Sequence, residues 1–239
     1  MDGGYYNDKT DPAYWIDIDG FDFDIELAST DNAVGYIAML TQLRKLFLTN
    51  PCKKYLLTGS PQCSVPDLAM GAMIQAVPFD ALWVQFYNTK DCSARTWAGG
   101  NSALNNTNGK NVTSGFTYDN WVSTTAAGAS KDAKIYIGLL GGPAGTTALH
   151  SNDFLWPTEA KNLINTYVED TRFGGVMLWE ATVADEQFVT SKAGFVNYYN
   201  FIKSVLKNYA PTTTPPISTG SICFSTTTSS TSTSKTSTT

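Results

Sequence analysis

Apolar and polar positions along the first 208 residues switch repeatedly between a period near two and a period near 3.6, which predicts alternating strands and helices. Residues 16–26 read as a strand. Asp31 is then expected to cap a helix whose apolar stripe is Val34, Ile37, Leu40, Leu43, Leu46 and Phe47. A second strand is predicted over 54–59 and a helix from Pro66-Asp67 to about Val77. A third strand is predicted over 81–87, followed by a long polar loop and a helix near 119–127. The last strands fall at 135–141 and 175–181, with helices over 159–170 and 194–208.

Five strand–helix units in series imply parallel strands with helical crossovers. The strand segments are continuous apolar runs, as expected of parallel strands buried on both faces. An open doubly wound sheet and a (β/α)8 barrel both satisfy this pattern. No Gly-rich phosphate fingerprint follows the first strand, which argues against the dinucleotide-binding form of the open sheet.

Residues 211–239 break the pattern. They are almost wholly Thr, Ser and Pro and hold too little apolar surface to offset their ordering entropy. They are expected to form a disordered, O-glycosylated stalk. Residues 1–15 are a lead-in without the basic and apolar regions of a signal peptide.

Composition narrows the function. Charged residues make up 15% of the chain and the net charge is −5, with no basic cluster to meet phosphates, so nucleic acid is not an expected partner. A neutral polysaccharide would not be repelled. No window is long enough for a membrane span. The four cysteines, Cys52, Cys63, Cys92 and Cys223, form no C-x-x-C pair, and His150 is the single histidine, so no metal site is expected. An even cysteine count is compatible with disulfides in an oxidising compartment. Sequons at Asn105 and Asn111 fit a glycosylated surface loop of a secreted protein.

The chemistry concentrates in Asp19-Gly20-Phe21-Asp22-Phe23-Asp24-Ile25-Glu26. With side chains alternating along a strand, Asp22, Asp24 and Glu26 share one face, and Phe21, Phe23 and Ile25 share the other. Acids packed this closely repel one another, and at least one is expected to hold a proton. Such clusters occur mainly where shifted acids do chemistry. An acidic strand facing water is the plainer alternative, but the Phe and Ile alternation sets the strand between a core and a site. A calcium loop is the other, and there the glycine arrives too early for the ligand spacing.

This stretch matches the D-G-x-D-x-D-x-E signature of glycoside hydrolase family 18, and the chain resembles chitinases of the fungal and plant class III (hevamine-like) branch over 16–208. Residues 55–63 (YLLTGSPQC), 83–88 (WVQFYN) and 175–179 (GVMLW) resemble that family's fifth, sixth and eighth barrel strands. The resemblance implies a (β/α)8 TIM barrel of which this chain carries strands four to eight, in residues 16–210. The first three strands, including a Gly-rich motif, have no counterpart here. Gly59 and Ser60 stand where small alanines are common in the family.

The resemblance also implies a chitinase acting on chitin or chitooligosaccharides outside the cell or in the cell wall, without a cofactor. Glu26 would be the general acid and base, Asp24 would hold the substrate's acetamido N–H, and Asp22 would share a proton with Asp24. Asp19, Gln85, Tyr87 and Asn88 would bind substrate, and Trp179 would floor the cleavage subsite. Cys63 and Cys92 match a family disulfide, whereas Cys52 and Cys223 have no assigned partner. A non-catalytic, lectin-like or inactive truncated member of the family is the alternative.

Overall fold

A computed structural model describes residues 18–101, 115–143, 153–191 and 194–209. Asn105, Asn111, His150, Cys223 and the 211–239 segment lie outside them.

Parallel strands β1 (Gly20–Phe23), β2 (Leu56–Gly59), β3 (Ala81–Gln85), β4 (Lys134–Leu140) and β5 (Phe173–Trp179) form one five-stranded sheet in chain order. Each strand pairs with its predecessor, as in Gly20↔Leu56 and Ala81↔Lys134. The order never reverses, which differs from a doubly wound sheet, whose order turns back at a switch point. Helices α1 (Val34–Phe47), α2 (Gly71–Ala76), α3 (Ala94–Asn101), α4 (Tyr118–Ala126) and α5 (Pro157–Tyr167) fill the crossovers. After β5 come a short helix α6 (Ala181–Glu186), an antiparallel hairpin of β6 (Phe188–Ser191) and β7 (Gly194–Asn197), and helix α7 (Tyr198–Lys207).

The core forms on one face of the sheet. Leu82, Val84 and Phe86 of the β3 segment and Ile135, Ile137 and Leu139 of β4 are fully buried in a cluster with Met73 and Ile74 of α2 and Leu163 and Ile164 of α5. On α7, Tyr198, Phe201, Ile202 and Val205 join the cluster at helical spacing. The opposite face differs from expectation: Leu56 of β2 is exposed, and Met177 of β5, paired with Gly138, is only half-buried. Both side chains line clefts on that face.

Four further differences have local causes. The first strand is shorter than predicted and ends at Phe23, because pairing with β2 stops at Phe23↔Gly59. Val34 is exposed, and only Leu40 of the α1 stripe is fully buried. Asp31 does serve the helix start, where its Oδ2 accepts from Gly35 N at 2.9 Å. Residues 194–197 are strand rather than helix, and Asn197 caps α7 by accepting from Asn200 N. The polar loop after β3 contains α3, whose first residue Ala94 donates its N–H to Phe86 O at 2.8 Å.

Candidate active site

Gly20 shows why the acidic strand needs its glycine. A Cβ there would lie 2.0 Å from the Leu56 carbonyl oxygen, so only glycine lets β1 approach β2 this closely. Alternation then carries Asp22, Asp24 and Glu26 to the open side. Asp24 and Glu26 stand beyond the end of β1, yet all three line one cleft of about 790 Å³. Phe23 and Ile25 pack against the core, and Phe21 stacks on Phe47 at 6.4 Å.

The cleft sits at the C-terminal ends of the strands, where loops of parallel α/β folds carry their sites. From β3 and the residues after it come Trp83, Gln85, Tyr87 and Asn88; from β4, Tyr136; from β5, Met177 and Trp179. Trp179 is 48% exposed, so its ring is open to the cleft rather than spent in the core.

Two hydrogen-bond systems hold the acids. Asp22 Oδ1 accepts from Thr58 Oγ1 at 2.5 Å and from Trp83 Nε1 at 2.9 Å, and its Oδ2 accepts from Ser60 Oγ at 3.4 Å. The two N–H groups of Gln85 Nε2 are shared among three acceptors, Asp24 Oδ1 at 3.1 Å, Glu26 Oε1 at 3.2 Å and Ser60 O at 2.9 Å. No hydrogen bond joins Asp22 to Asp24 among the described residues. Instead they interact through charge. Partial desolvation, then the charges of Glu26 and Asp22, push the Asp24 carboxyl above its ordinary range, against the Gln85 bond. Burial, then the charges of Asp24 and Glu26, push the Tyr87 phenol well up, so it keeps its proton and remains an O–H donor.

Most residues expected in the site from sequence meet there: Asp22, Asp24, Glu26, Gln85, Tyr87, Asn88 and Trp179. Asp19 does not. It sits at the opposite end of β1, where its carbonyl accepts from Leu56 N at 2.8 Å and its carboxylate pairs with Lys53 at 3.3 Å. Asn88 has a left-handed backbone, φ 60°, and its N–H donates to the buried Asp153 at 2.7 Å. Trp83, Thr58, Ser60 and Tyr136 were not singled out as site residues from the sequence. For Trp83 the signal was present, since it shares strand parity with Gln85 and Tyr87.

The expected disulfide is present. Cys63 and Cys92 are bridged with Cα atoms 5.7 Å apart, tying the segment after β2 to the segment after β3. Cys52 is disulfide-bonded as well. No cluster of potential metal ligands occurs among the described residues, and no described helix is long and apolar enough to cross a membrane.

The comparisons with known proteins place this cleft in a family. Residues 11–155 match Glycosyl hydrolases family 18, and the chain belongs to that family. It is 36% identical over 217 residues to Endochitinase A of Aspergillus niger, covering 90% of this chain and 15% of that protein. It thus spans a small part of the curated relatives it matches. In fold it is similar to the ICChI chitinase of Ipomoea carnea, with a TM-score of 0.56 and 24% identity over 79% of this chain and 57% of that one. It is also similar to the xylanase and α-amylase inhibitor protein XAIP-II of Scadoxus multiflorus, with a TM-score of 0.58 and 25% identity over 86% of this chain and 62% of that one.

Proposed function

We propose that this chain is part of a chitinase that hydrolyses β-1,4-linked N-acetylglucosamine polymers with retention, using the substrate's own acetamido group in place of a protein nucleophile. One observation carries the reading: Asp24 and Glu26 project into a single cleft and share the amide of Gln85.

In this mechanism Glu26 gives its proton to the leaving glycosidic oxygen while the acetamido oxygen attacks the anomeric carbon and the glycosidic bond breaks. Asp24 accepts a hydrogen bond from the acetamido N–H and balances the positive charge of the oxazolinium ion. Asp22, fixed by Thr58, Ser60 and Trp83, acts on Asp24 through its charge. The protonated Tyr87 hydroxyl donates toward the acetamido oxygen. Trp179 floors the sugar ring, and Asn88 offers its amide at the cleft wall. Glu26, now a carboxylate, then takes a proton from the water that opens the oxazolinium ring.

The sheet belongs, in this reading, to a (β/α)8 barrel as its strands four to eight, carried by residues 16–210. Residues 1–15 are a lead-in, and 211–239 a Ser/Thr/Pro-rich, O-glycosylated stalk of a protein that acts outside the cell or in the cell wall. Asn105 and Asn111 are its N-glycosylation sites. A lectin-like role would leave the terminal Glu26 without purpose.

The deciding experiment is Glu26→Gln assayed on chitotrioside. Gln keeps the shape and cannot donate the proton, so activity should fall by roughly two to four orders of magnitude while binding persists. Activity within tenfold of the parent would remove Glu26 from the mechanism.

A further inference from the structure

Gln85 reaches both acids, so what fixes Gln85 fixes the site. Its backbone N–H donates to Pro61 O at 2.8 Å, and its side chain donates to Ser60 O at 2.9 Å. Gln62 forms a parallel bridge with Gln85 itself. Residues 60–62 therefore form a strap along the end of β3. One end is tied to β1, where Ser60 N donates to Phe23 O at 2.8 Å. The other end is tied to a carboxylate outside the cleft: Gln62 N donates to Asp67 Oδ2 at 3.1 Å.

Asp67 is only 6% exposed. Its Oδ1 accepts from Ala69 N at 2.9 Å and Met70 N at 2.5 Å, the turn that leads into α2. All three bonds to its side chain come from backbone N–H groups, so both oxygens must be acceptors, a condition a carboxylate meets and an amide does not. Burial is the largest influence on this carboxyl and raises its pKa, and the Glu26 charge adds to the rise. A cap alone would need only Oδ1. The second oxygen is spent on the strap.

We infer that Asp67 is a positioning residue: through Gln62 and the 60–62 strap it sets the Gln85 amide against Asp24 and Glu26. The consequence for activity rests on the hydrolase reading above, whereas the structural link does not. Asp67→Asn would turn one acceptor into an NH2 group facing an N–H, loosening either the cap or the strap. Asp67→Ser keeps a capping oxygen but is too short to hold Gln62.

The test uses the full chain as parent, Asp67→Asn, Gln85→Ala and the double variant, with Asp67→Ser replacing Asp67→Asn in the set should the latter not fold. The carboxyl of Asp24, which faces Asp22, Glu26, Gln85 and Tyr87, is titrated by carbon NMR. Loosening Gln85 should move its midpoint up by roughly half to one pH unit, about half the worth of one charge-assisted hydrogen bond, because the bond is weakened rather than lost. With Gln85 already replaced, the Asp67 change should leave the midpoint where it is. In the same set kcat on chitotrioside should fall by about tenfold when Gln85 is present and by less than about twofold when it is absent. No movement of the midpoint with Gln85 present, or equal movement in both backgrounds, overturns the proposal. If neither the parent nor a version extended upstream by three βα units cuts the trioside, the hydrolase reading fails and the titration alone decides the role of Asp67.

Discussion

The Gln85 amide lies 3.1 Å from Asp24 Oδ1, and it is the one hydrogen bond among the influences on Asp24 that favours the ionised acid. Partial desolvation and the neighbouring acids outweigh it, so the folded protein binds the Asp24 proton more tightly than the unfolded chain does. As pH rises above the ordinary value of 3.8, the unfolded state loses this proton first. Stability therefore falls through the window between 3.8 and the raised folded value, and the penalty is absent below it. Asp24→Asn is expected to raise Tm at pH 7 and to leave it unchanged near pH 3, as read by differential scanning calorimetry. An equal shift at both pH values would mean that packing, not charge, is responsible.

Trp179 is half-exposed and stands outside the buried core cluster. Trp179→Ala should cost little stability, within about 0.5 kcal/mol. If the ring floors a sugar, the same change should weaken chitooligosaccharide binding by about tenfold to a hundredfold, the worth of one large aromatic contact. Calorimetric titration of the Glu26→Gln background separates the two effects. Unchanged affinity would take Trp179 out of the subsite.

The bridge between Cys63 and Cys92 spans a sequence separation of 29, and both residues are buried. Replacing both with Ala should lower unfolding stability by about 3–4 kcal/mol on the loop-entropy account. Urea unfolding measures this, and mapping of unreduced peptides checks the pairing itself.

Strands β1 and β5 each have a single neighbour in the sheet, and Phe21 and Leu56, near the open edge, are both 39% exposed. Open edges of this kind seek further strands. If the sheet is five eighths of a barrel, the 239-residue chain should self-associate in analytical ultracentrifugation. Adding an upstream segment of three βα units should give a monomer with higher turnover. A short chain that is already monomeric and as active as the extended one would mean that the open sheet is complete.

The sequence by itself determined the succession of strands and helices and the side on which the acids fall. Period-two alternation put Asp22, Asp24 and Glu26 on one face and Gln85 with Tyr87 on another strand's matching face, and these are local facts of backbone geometry. The tertiary structure decided where pairing stops, because a strand lasts only as long as its neighbour. Hence β1 ends at Phe23, and 194–197 become a hairpin strand against β6 instead of the first turn of α7. It also decided which acids meet. Asp19 belongs to the same run as Glu26 but lies at the other end of β1, where it meets Lys53. Trp83, Thr58 and Ser60 reach Asp22 from two other strand segments, and Asp67 reaches Gln85 only through the folded strap. The contacts to Asp22 join residues 36, 38 and 61 positions apart, and no local period of the chain encodes them.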